Sequence, residues 1–503
     1  MFDVAIIGSG YGGATVAARM APLGKVVIIE RGRRWKPGAF PTSIPGLAST
    51  YLTANRPDGL WAMRFGDGTG NAFASAYGGA SVVNYGITVE PDAHVFEDWP
   101  VSREELAKGY AQARQVLGAS PNPRADALGD KAFIDAIEPG SRYDIDNTID
   151  WTKCDDCGEC VPGCNHGAKR SLDTTYLAMA EEAGAEVRTQ TEVKFIERCG
   201  EEGGFRLGLL STGPGRETST VRARRVVLAA GTFGTMELLH GMRRWVQPGP
   251  WFGKGLSMNG DGLAFLYNTR WPLSSHSGAP ISTSARLVFE DEDGRKRTLF
   301  VMSGRVPKAA MRMSAVALNL LADVVAEPVS DGFVHEDLSD RVARRAKDLG
   351  SVEAGGAFSQ SFMYKLDGQD SARGTARFTS EGRAVIDWPD YLEDPINRFA
   401  EARLLEWARK VGGTVVPNVA RLPLPGMRAF SVHPLGGCRM GTSFDSGVCD
   451  AQGRIFRPGG GVVEGIRIAD ASLIPNSLGV PPSLTVAAIA ERVAASLAAE
   501  LSA

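Results

Sequence analysis

Apolar residues crowd the opening positions, Phe2 to Ile7, and stop abruptly at glycine. That run predicts a buried strand over 2–7. Small and apolar residues at helical spacing predict a helix over 12–23, and Lys25 to Glu30 a second strand. The chain therefore opens with a β-α-β unit. Residues 36–75, rich in Gly, Pro and Asn, read as a long excursion. Ser102, followed by Glu105 and by Leu106, Tyr110, Ala111, Val116 and Leu117, predicts a capped amphipathic helix over 102–118. A further helix is predicted over 172–183 and an alternating strand over 186–198. A short buried strand runs from Val226 to Ala230 into Gly231.

The texture changes between 246 and 430. Arg286 to Glu290 and Lys296 to Met302 flank Asp293-Gly294, a hairpin signal, and a second hairpin is expected over 373–388 around Glu381-Gly382. Residues 306–326 carry Met311, Met313, Val316, Leu318, Leu320, Leu321, Val324 and Val325, a stripe suited to a packed helix or to a lid. Glycine-rich turns return after 430, and a long Ala-rich helix begins at Ser483. No internal repeat is present.

Composition excludes several classes. At 503 residues with 43% hydrophobic and 22% charged residues, the chain is globular and long enough to bury a core without disulfide staples. A net charge of −3 gives no reason to expect a nucleic-acid partner or a polybasic membrane anchor. No run of about 18 apolar residues predicts a membrane span. No leader precedes the first strand, so no signal peptide is expected. The expected compartment is a reducing cytoplasm, where disulfides are rare.

Gly8-Ser9-Gly10-Tyr11-Gly12-Gly13 is a G-x-G-x-x-G motif between the first strand and its helix. Gly8 permits the tight turn, Gly10 lets backbone approach a pyrophosphate, and Gly13 lets helix and strand pack closely. The helix N-terminus adds N–H donors and partial positive charge. Glu30 ends the second strand, where an acid can hold a ribose hydroxyl pair. This points to a dinucleotide and does not by itself separate NAD from FAD.

Three further blocks accompany this one. They are Tyr77-Gly78-Gly79-Ala80-Ser81-Val82-Val83-Asn84-Tyr85-Gly86, Val227 to Thr235, and His433-Pro434-Leu435-Gly436-Gly437-Cys438-Arg439-Met440-Gly441, the last followed by Gly465 to Ser472 and Gly479 to Thr485. In this order they resemble the GMC (glucose–methanol–choline) oxidoreductases, and within them the cholesterol-oxidase-like branch. The resemblance spans nearly the whole chain and is weakest over 246–430. It implies an α/β protein of two domains, a Rossmann-like FAD-binding domain with an interleaved substrate domain on an antiparallel sheet. The FAD-binding parts are expected at 1–245, with a Cys-rich insertion at 150–170, and at 431–503. The substrate domain is expected at 246–430.

The resemblance also assigns roles. FAD would be held by Gly8, Gly10, Tyr11, Gly12, Gly13, Glu30, Gly79, Ser81, Asn84, Val193, Ala230, Gly231, Asp470, Ala471, Pro482 and Ser483. His433 would lie by the flavin and take the substrate's hydroxyl proton, work suited to an imidazole at neutral pH. The family's partner, an Asn or second His, is replaced here by Pro481, which has no side-chain hydrogen-bonding group. Asn476 is the expected substitute, with Asn84 as another. The departure leaves open a desaturation or dehydrogenation of a non-alcohol substrate.

Cys154, Cys157, Cys160 and Cys164 form C-x2-C-x2-C-x3-C, the spacing of bacterial ferredoxins, with Asn165 where those proteins carry proline. A [3Fe-4S] or [4Fe-4S] cluster is expected, with zinc or reduced structural thiols as alternatives. Cys199, Cys438 and Cys449 are isolated and expected to be ordinary buried residues. The leading expectation is an FAD-dependent oxidation of a hydroxyl on a hydrophobic, cyclic or steroid-like molecule. Electrons would pass through the cluster to an external acceptor, a one-electron carrier or oxygen. The other class is a flavin/iron–sulfur electron-transfer subunit.

Overall fold

The structure is a computed structural model. It describes residues 1–123, 133–200, 203–269, 281, 283–324, 327–328, 338–350, 355–416 and 429–502. The opening β-α-β unit is the strand Phe2–Ile7, the helix Tyr11–Met20 and the strand Val26–Ile29. Val4, Ile6, Ile7 and Val26 to Ile29 are all buried, as strands covered on both faces require. Phe2–Ile7 pairs in parallel with Val26–Ile29 and with the end of the long strand Thr218–Leu228. Leu228 in turn lies opposite Ile468 of the strand Val462–Ile468. The C-terminal ends of these four strands are therefore level. Gly8, Glu30, Ala229 and Ala469 follow them, and the crevice there is where such sheets bind ligands.

Thr218–Leu228 is long enough for two tasks. Its first half pairs antiparallel with Phe205–Ser211, and only its last residues join the parallel centre. The strand expected at 226–230 is thus the end of a longer one. The single strand expected over 186–198 is two. Glu186–Arg188 runs parallel beside Val26–Ile29, whereas Thr191–Arg198 pairs with Phe205–Ser211. Gln190, at φ 50°, breaks the run between them, and alternation alone carries no mark of such a turn. The helix expected over 172–183 is a 3₁₀ turn, Leu172–Thr174, followed by Tyr176–Glu182.

The capped helix is Arg103–Leu117. Ser102 Oγ accepts from Glu105 N–H at 3.2 Å, and Glu105 accepts from Ser102 N–H at 2.9 Å. It packs against the long helix Ser483–Ser502, which in turn packs against Tyr11–Met20. Arg19 makes two bonds, of 2.7 and 2.8 Å, to Glu491 of that last helix.

The second sheet has seven strands. In order they are Glu327–Pro328, Thr414–Val416, Gly262–Tyr267, Phe362–Gly368, Lys296–Gly304, Thr283–Glu290 and, at the far edge, Arg142–Asp144. The Asp293-Gly294 hairpin forms as expected, pairing Glu290 with Lys296. The helix Pro395–Val411 covers one face. Towards it point Phe362, Tyr364 and Leu366, while Met363, Lys365 and Asp367 point the other way, into a large cavity. The helix Lys308–Val324 buries Ala315 and Leu318 against Phe265 and Tyr267 and exposes Met313 and Leu320, so its stripe is core only in part. Val325 lies outside the described residues. Among the described residues no helix is long and apolar enough to cross a membrane.

Candidate active site

A cavity of about 960 Å³ opens at the level strand ends and runs to the second sheet. Three helices begin on its wall, at Tyr11, Gly231 and Ser483. Their N-termini bring partial positive charge to one place, as an anionic pyrophosphate requires. Gly10 has nothing within 4 Å of where a Cβ would stand, so its bare backbone faces the open cradle. Gly12 and Gly13 serve packing instead. A Cβ on Gly12 would lie 1.5 Å from the Ala469 carbonyl oxygen, and one on Gly13 2.0 Å from that of Gly8.

Most of the expected cofactor residues come together here. Gly8, Gly10, Tyr11, Gly12, Glu30, Gly79, Asn84, Val193, Ala230, Gly231, Asp470, Ala471, Pro482 and Ser483 all line the cavity. Glu30 accepts from Ser9 N–H (3.0 Å), Ser9 Oγ–H (2.7 Å) and Gly32 N–H (2.8 Å), which fixes its direction. Burial raises its carboxyl above the ordinary range. Asn84 donates to the Tyr11 hydroxyl at 2.9 Å, and burial pushes that phenol up to about 12. Asp470 accepts from Gly231 N–H (2.9 Å) and from Thr235 Oγ, so it holds the second helix in place.

Two expectations need correction. Ser81 does not line the cavity; its hydroxyl donates to Gly78 O (2.7 Å) and accepts from Leu172 N–H (3.0 Å), a loop clamp. Asn476 is no partner for His433. Its amide accepts from Trp99 Nε1–H (2.8 Å) and donates to Val95 O (3.0 Å), and it does not line the cavity. Pro481 does line it.

His433 also lines the cavity, with 18% of its side chain exposed. Its Nδ1 lies 2.8 Å from Asp367 Oδ1 and 3.7 Å from Asp261 Oδ2. Lys365 pairs with Asp261 and lies 3.3 Å from Asp367 Oδ1. Burial acts to raise the Asp367 carboxyl, but the Lys365 charge and the hydrogen bonds from His433 and Lys365 outweigh it and hold it below the ordinary range. Motif reading missed Asp261, Lys365 and Asp367. The signal was the strand Phe362–Gly368, where two charges alternate with Phe, Tyr and Leu.

Comparison with known proteins gives the family. The GMC oxidoreductase N-terminal pattern matches residues 43–242, and the C-terminal pattern matches 370–490. The chain belongs to the GMC oxidoreductase family. Cholesterol oxidase of Mycobacterium tuberculosis is 28% identical over 98% of this chain and 90% of that protein. A cholesterol oxidase of Acinetobacter baumannii is 25% identical over 98% and 93%. A long-chain-alcohol oxidase of Arabidopsis thaliana is 24% identical over 96% of this chain and 65% of its own. Pyridoxine 4-oxidase from Mesorbium loti shares the fold, with a TM-score of 0.65 and 19% identity over 98% of each chain.

This GMC oxidoreductase is an FAD-dependent enzyme acting on CH–OH groups. Its cavity fits that cofactor. The bare Gly10 backbone and the three helix N-termini suit a pyrophosphate, and the volume exceeds what one nucleotide needs.

In the same GMC chain, Cys154, Cys157, Cys160 and Cys164 border one small separate cavity, with Asp155 and His166 at its side. Gly158 and Gly163, at φ 71° and 122°, let the loop wrap. Among the described residues the close-set ligand group here is Asp155, Cys157 and His166, within 4.8 Å of one another; the four thiols are spread wider around the void. Beside them Lys169 is buried, donating to Cys160 O (2.9 Å), Val82 O (2.8 Å) and Asn84 O (2.9 Å). It ties the cysteine loop to the loop beneath the cofactor cradle, and burial pulls its ammonium down to about 8. Lys169→Met is expected to leave three buried carbonyls unpaired. The cost is about 1–3 kcal/mol, read as a lower Tm with partial loss of FAD on purification. An unchanged melt would show that the clamp contributes little.

Proposed function

We propose that this protein oxidises a hydroxyl of a hydrophobic alcohol, with His433 as acceptor of the hydroxyl proton. The observation that carries this is the imidazole. Its Nδ1 is engaged by Asp367, its Nε2 meets no hydrogen-bonding partner among the described residues, and the ring lines the cavity. When bound, FAD accepts the hydride that leaves the carbinol carbon. The residues proposed to hold it are those of the cradle: Gly8, Gly10, Gly12, Glu30, Gly79, Asn84, Val193, Ala230, Gly231, Asp470, Pro482 and Ser483. A neutral imidazole accepts a proton near neutral pH, and removing the O–H proton makes the carbinol hydrogen a better hydride donor.

Leu263, Met302, Pro307, Met363, Phe430 and Val432 line the same cavity and give an apolar wall for the alcohol's body. The names of the relatives, cholesterol oxidase and long-chain-alcohol oxidase, support a lipophilic alcohol. The test is anaerobic titration of the FAD-loaded protein with cholesterol, 1-dodecanol and pyridoxine. Loss of the oxidised-flavin bands is expected with a lipophilic alcohol. Reduction by none of the three would overturn the reading.

The four cysteines are proposed to hold an iron–sulfur cluster that passes electrons on from the cradle. Support comes from the ferredoxin spacing of the four thiols, their place around one void, and Val161 of the same loop, which lines the large cavity. Protein purified without oxygen is expected to carry about three or four irons with matching sulfide, lost in Cys160→Ser. Flavin without iron or sulfide would return the cysteines to a structural role and leave oxygen as the acceptor to test.

A further inference from the structure

Pro481 leaves His433 without the side-chain partner that the family pattern supplies, and the second sheet provides another. Alternation along Phe362–Gly368 sends Lys365 and Asp367 to the cavity side, beside His433. Asp367 is fully buried, with 0% of its side chain exposed. An isolated carboxylate there would be costly. Lys365 Nζ and Asn259 Nδ2 each lie 3.3 Å from the Oδ1 that meets His433, while Oδ2 has no hydrogen bond among the described residues.

Lys365 is anchored in turn by Asp261. Asp261 Oδ2 accepts from Val432 N–H at 2.6 Å and from Ser431 Oγ–H at 3.3 Å. Ser431 Oγ accepts from His433 N–H at 2.9 Å. The histidine is thus held twice, by its backbone through Ser431 and by its ring through Asp367. Asp261, Asp367 and His433 present ligand atoms within 4.8 Å of one another, but the Lys365 ammonium already supplies the charge a metal ion would bring. With two carboxylates, one ammonium and a neutral imidazole the cluster carries net charge −1. When the ring takes a proton it becomes neutral.

We propose that Asp367 is a positioning residue for His433: its carboxylate accepts the Nδ1–H, which leaves Nε2 unprotonated for the substrate and stabilises the imidazolium that forms. The alcohol's O–H bond breaks and its proton goes to Nε2, while the Nδ1 proton stays on the ring. The carbinol hydride leaves with its electron pair by the family's flavin chemistry. Lys365 and Asp261 act one step further out, keeping Asp367 charged and in place. This rests on His433 being the proton acceptor.

The test compares Asp367→Asn, Asp367→Glu and His433→Gln, with cholesterol and 1-dodecanol as substrates. Histidine-selective ¹⁵N NMR of the native and variant proteins is run alongside and needs no turnover. Asp367→Asn is expected to lower kcat by about 10²–10⁴-fold with KM and bound FAD near native. The other ionisable groups facing the pair are Lys365, Asp261 and Tyr391, and all three stay in place in the variant. Asp367→Glu should recover a large part of the loss. The native ¹⁵N spectrum should show His433, assigned by its absence in His433→Gln, as the Nδ1–H tautomer. A native Nε2–H tautomer, or a kcat within threefold of native in Asp367→Asn, would overturn the proposal. If His433→Gln is inactive while Asp367→Asn is native-like, this inference alone fails; if both are native-like, the proton-acceptor reading fails with it. Should Asp367→Asn not fold, Asp367→Glu and the native tautomer decide.

Discussion

His433→Gln is expected to abolish alcohol oxidation while leaving FAD in place, with kcat lowered by about 10²–10⁴-fold. Glutamine fills a similar volume and hydrogen-bonds, but it accepts no proton at neutral pH. The loss should therefore fall on chemistry and spare binding. His433 lies on the cavity wall with 18% of its side chain exposed, so the change opens no void in the core. Its ring hydrogen-bonds to Asp367 and not to the G-x-G-x-x-G turn, so the cradle should be undisturbed. Stopped-flow mixing of the loaded variant with alcohol under argon isolates the reductive step, and a thermal melt checks the fold. Flavin reduction at the native rate would remove His433 from the proton transfer.

The second large effect is expected at Gly12. Alanine there places its Cβ 1.5 Å from the Ala469 carbonyl oxygen and 2.6 Å from its carbon. Both are backbone atoms and cannot rotate aside. Ala469 follows the strand Val462–Ile468 and precedes Asp470, whose carboxylate holds Gly231 N–H. A displacement at Gly12 thus reaches two of the three helix N-termini in the cradle. Overpacking costs about 1–3 kcal/mol where side chains can yield, and here they do not. Gly12→Ala is expected to lose FAD and to melt several degrees below native. Gly10→Ala is the control. Its Cβ meets nothing within 4 Å, so the fold should keep its stability while FAD retention falls. Equal melts for native and Gly12→Ala would refute the packing argument.

The contrast between these glycines also measures what sequence makes visible. Gly8 to Gly13 could be read because turn, approach and packing all act within a few residues. The capping box at Ser102 and the hairpin at Asp293-Gly294 were legible for the same reason. Asp367 was not. Its meaning depends on which face of a sheet meets His433, 66 residues away in sequence. Asn476 failed in the opposite way, because nearness to Pro481 in sequence suggested a role that Trp99 and Val95 had already taken. Ser81 sits inside a matching motif, yet its hydroxyl braces the loop and not the ligand.

The cradle draws one helix start from near residue 11 and another from near residue 483. Arg19 grips Glu491 across a separation of 472 residues. During synthesis the helix Tyr11–Met20 is made long before its neighbour Ser483–Ser502, and the two can meet only once the intervening residues have left the ribosome. Nascent protein must keep that apolar helix face shielded for the duration, and contacts this far apart form slowly. Loading with FAD therefore waits until the residues from 483 onward have docked beside the opening unit.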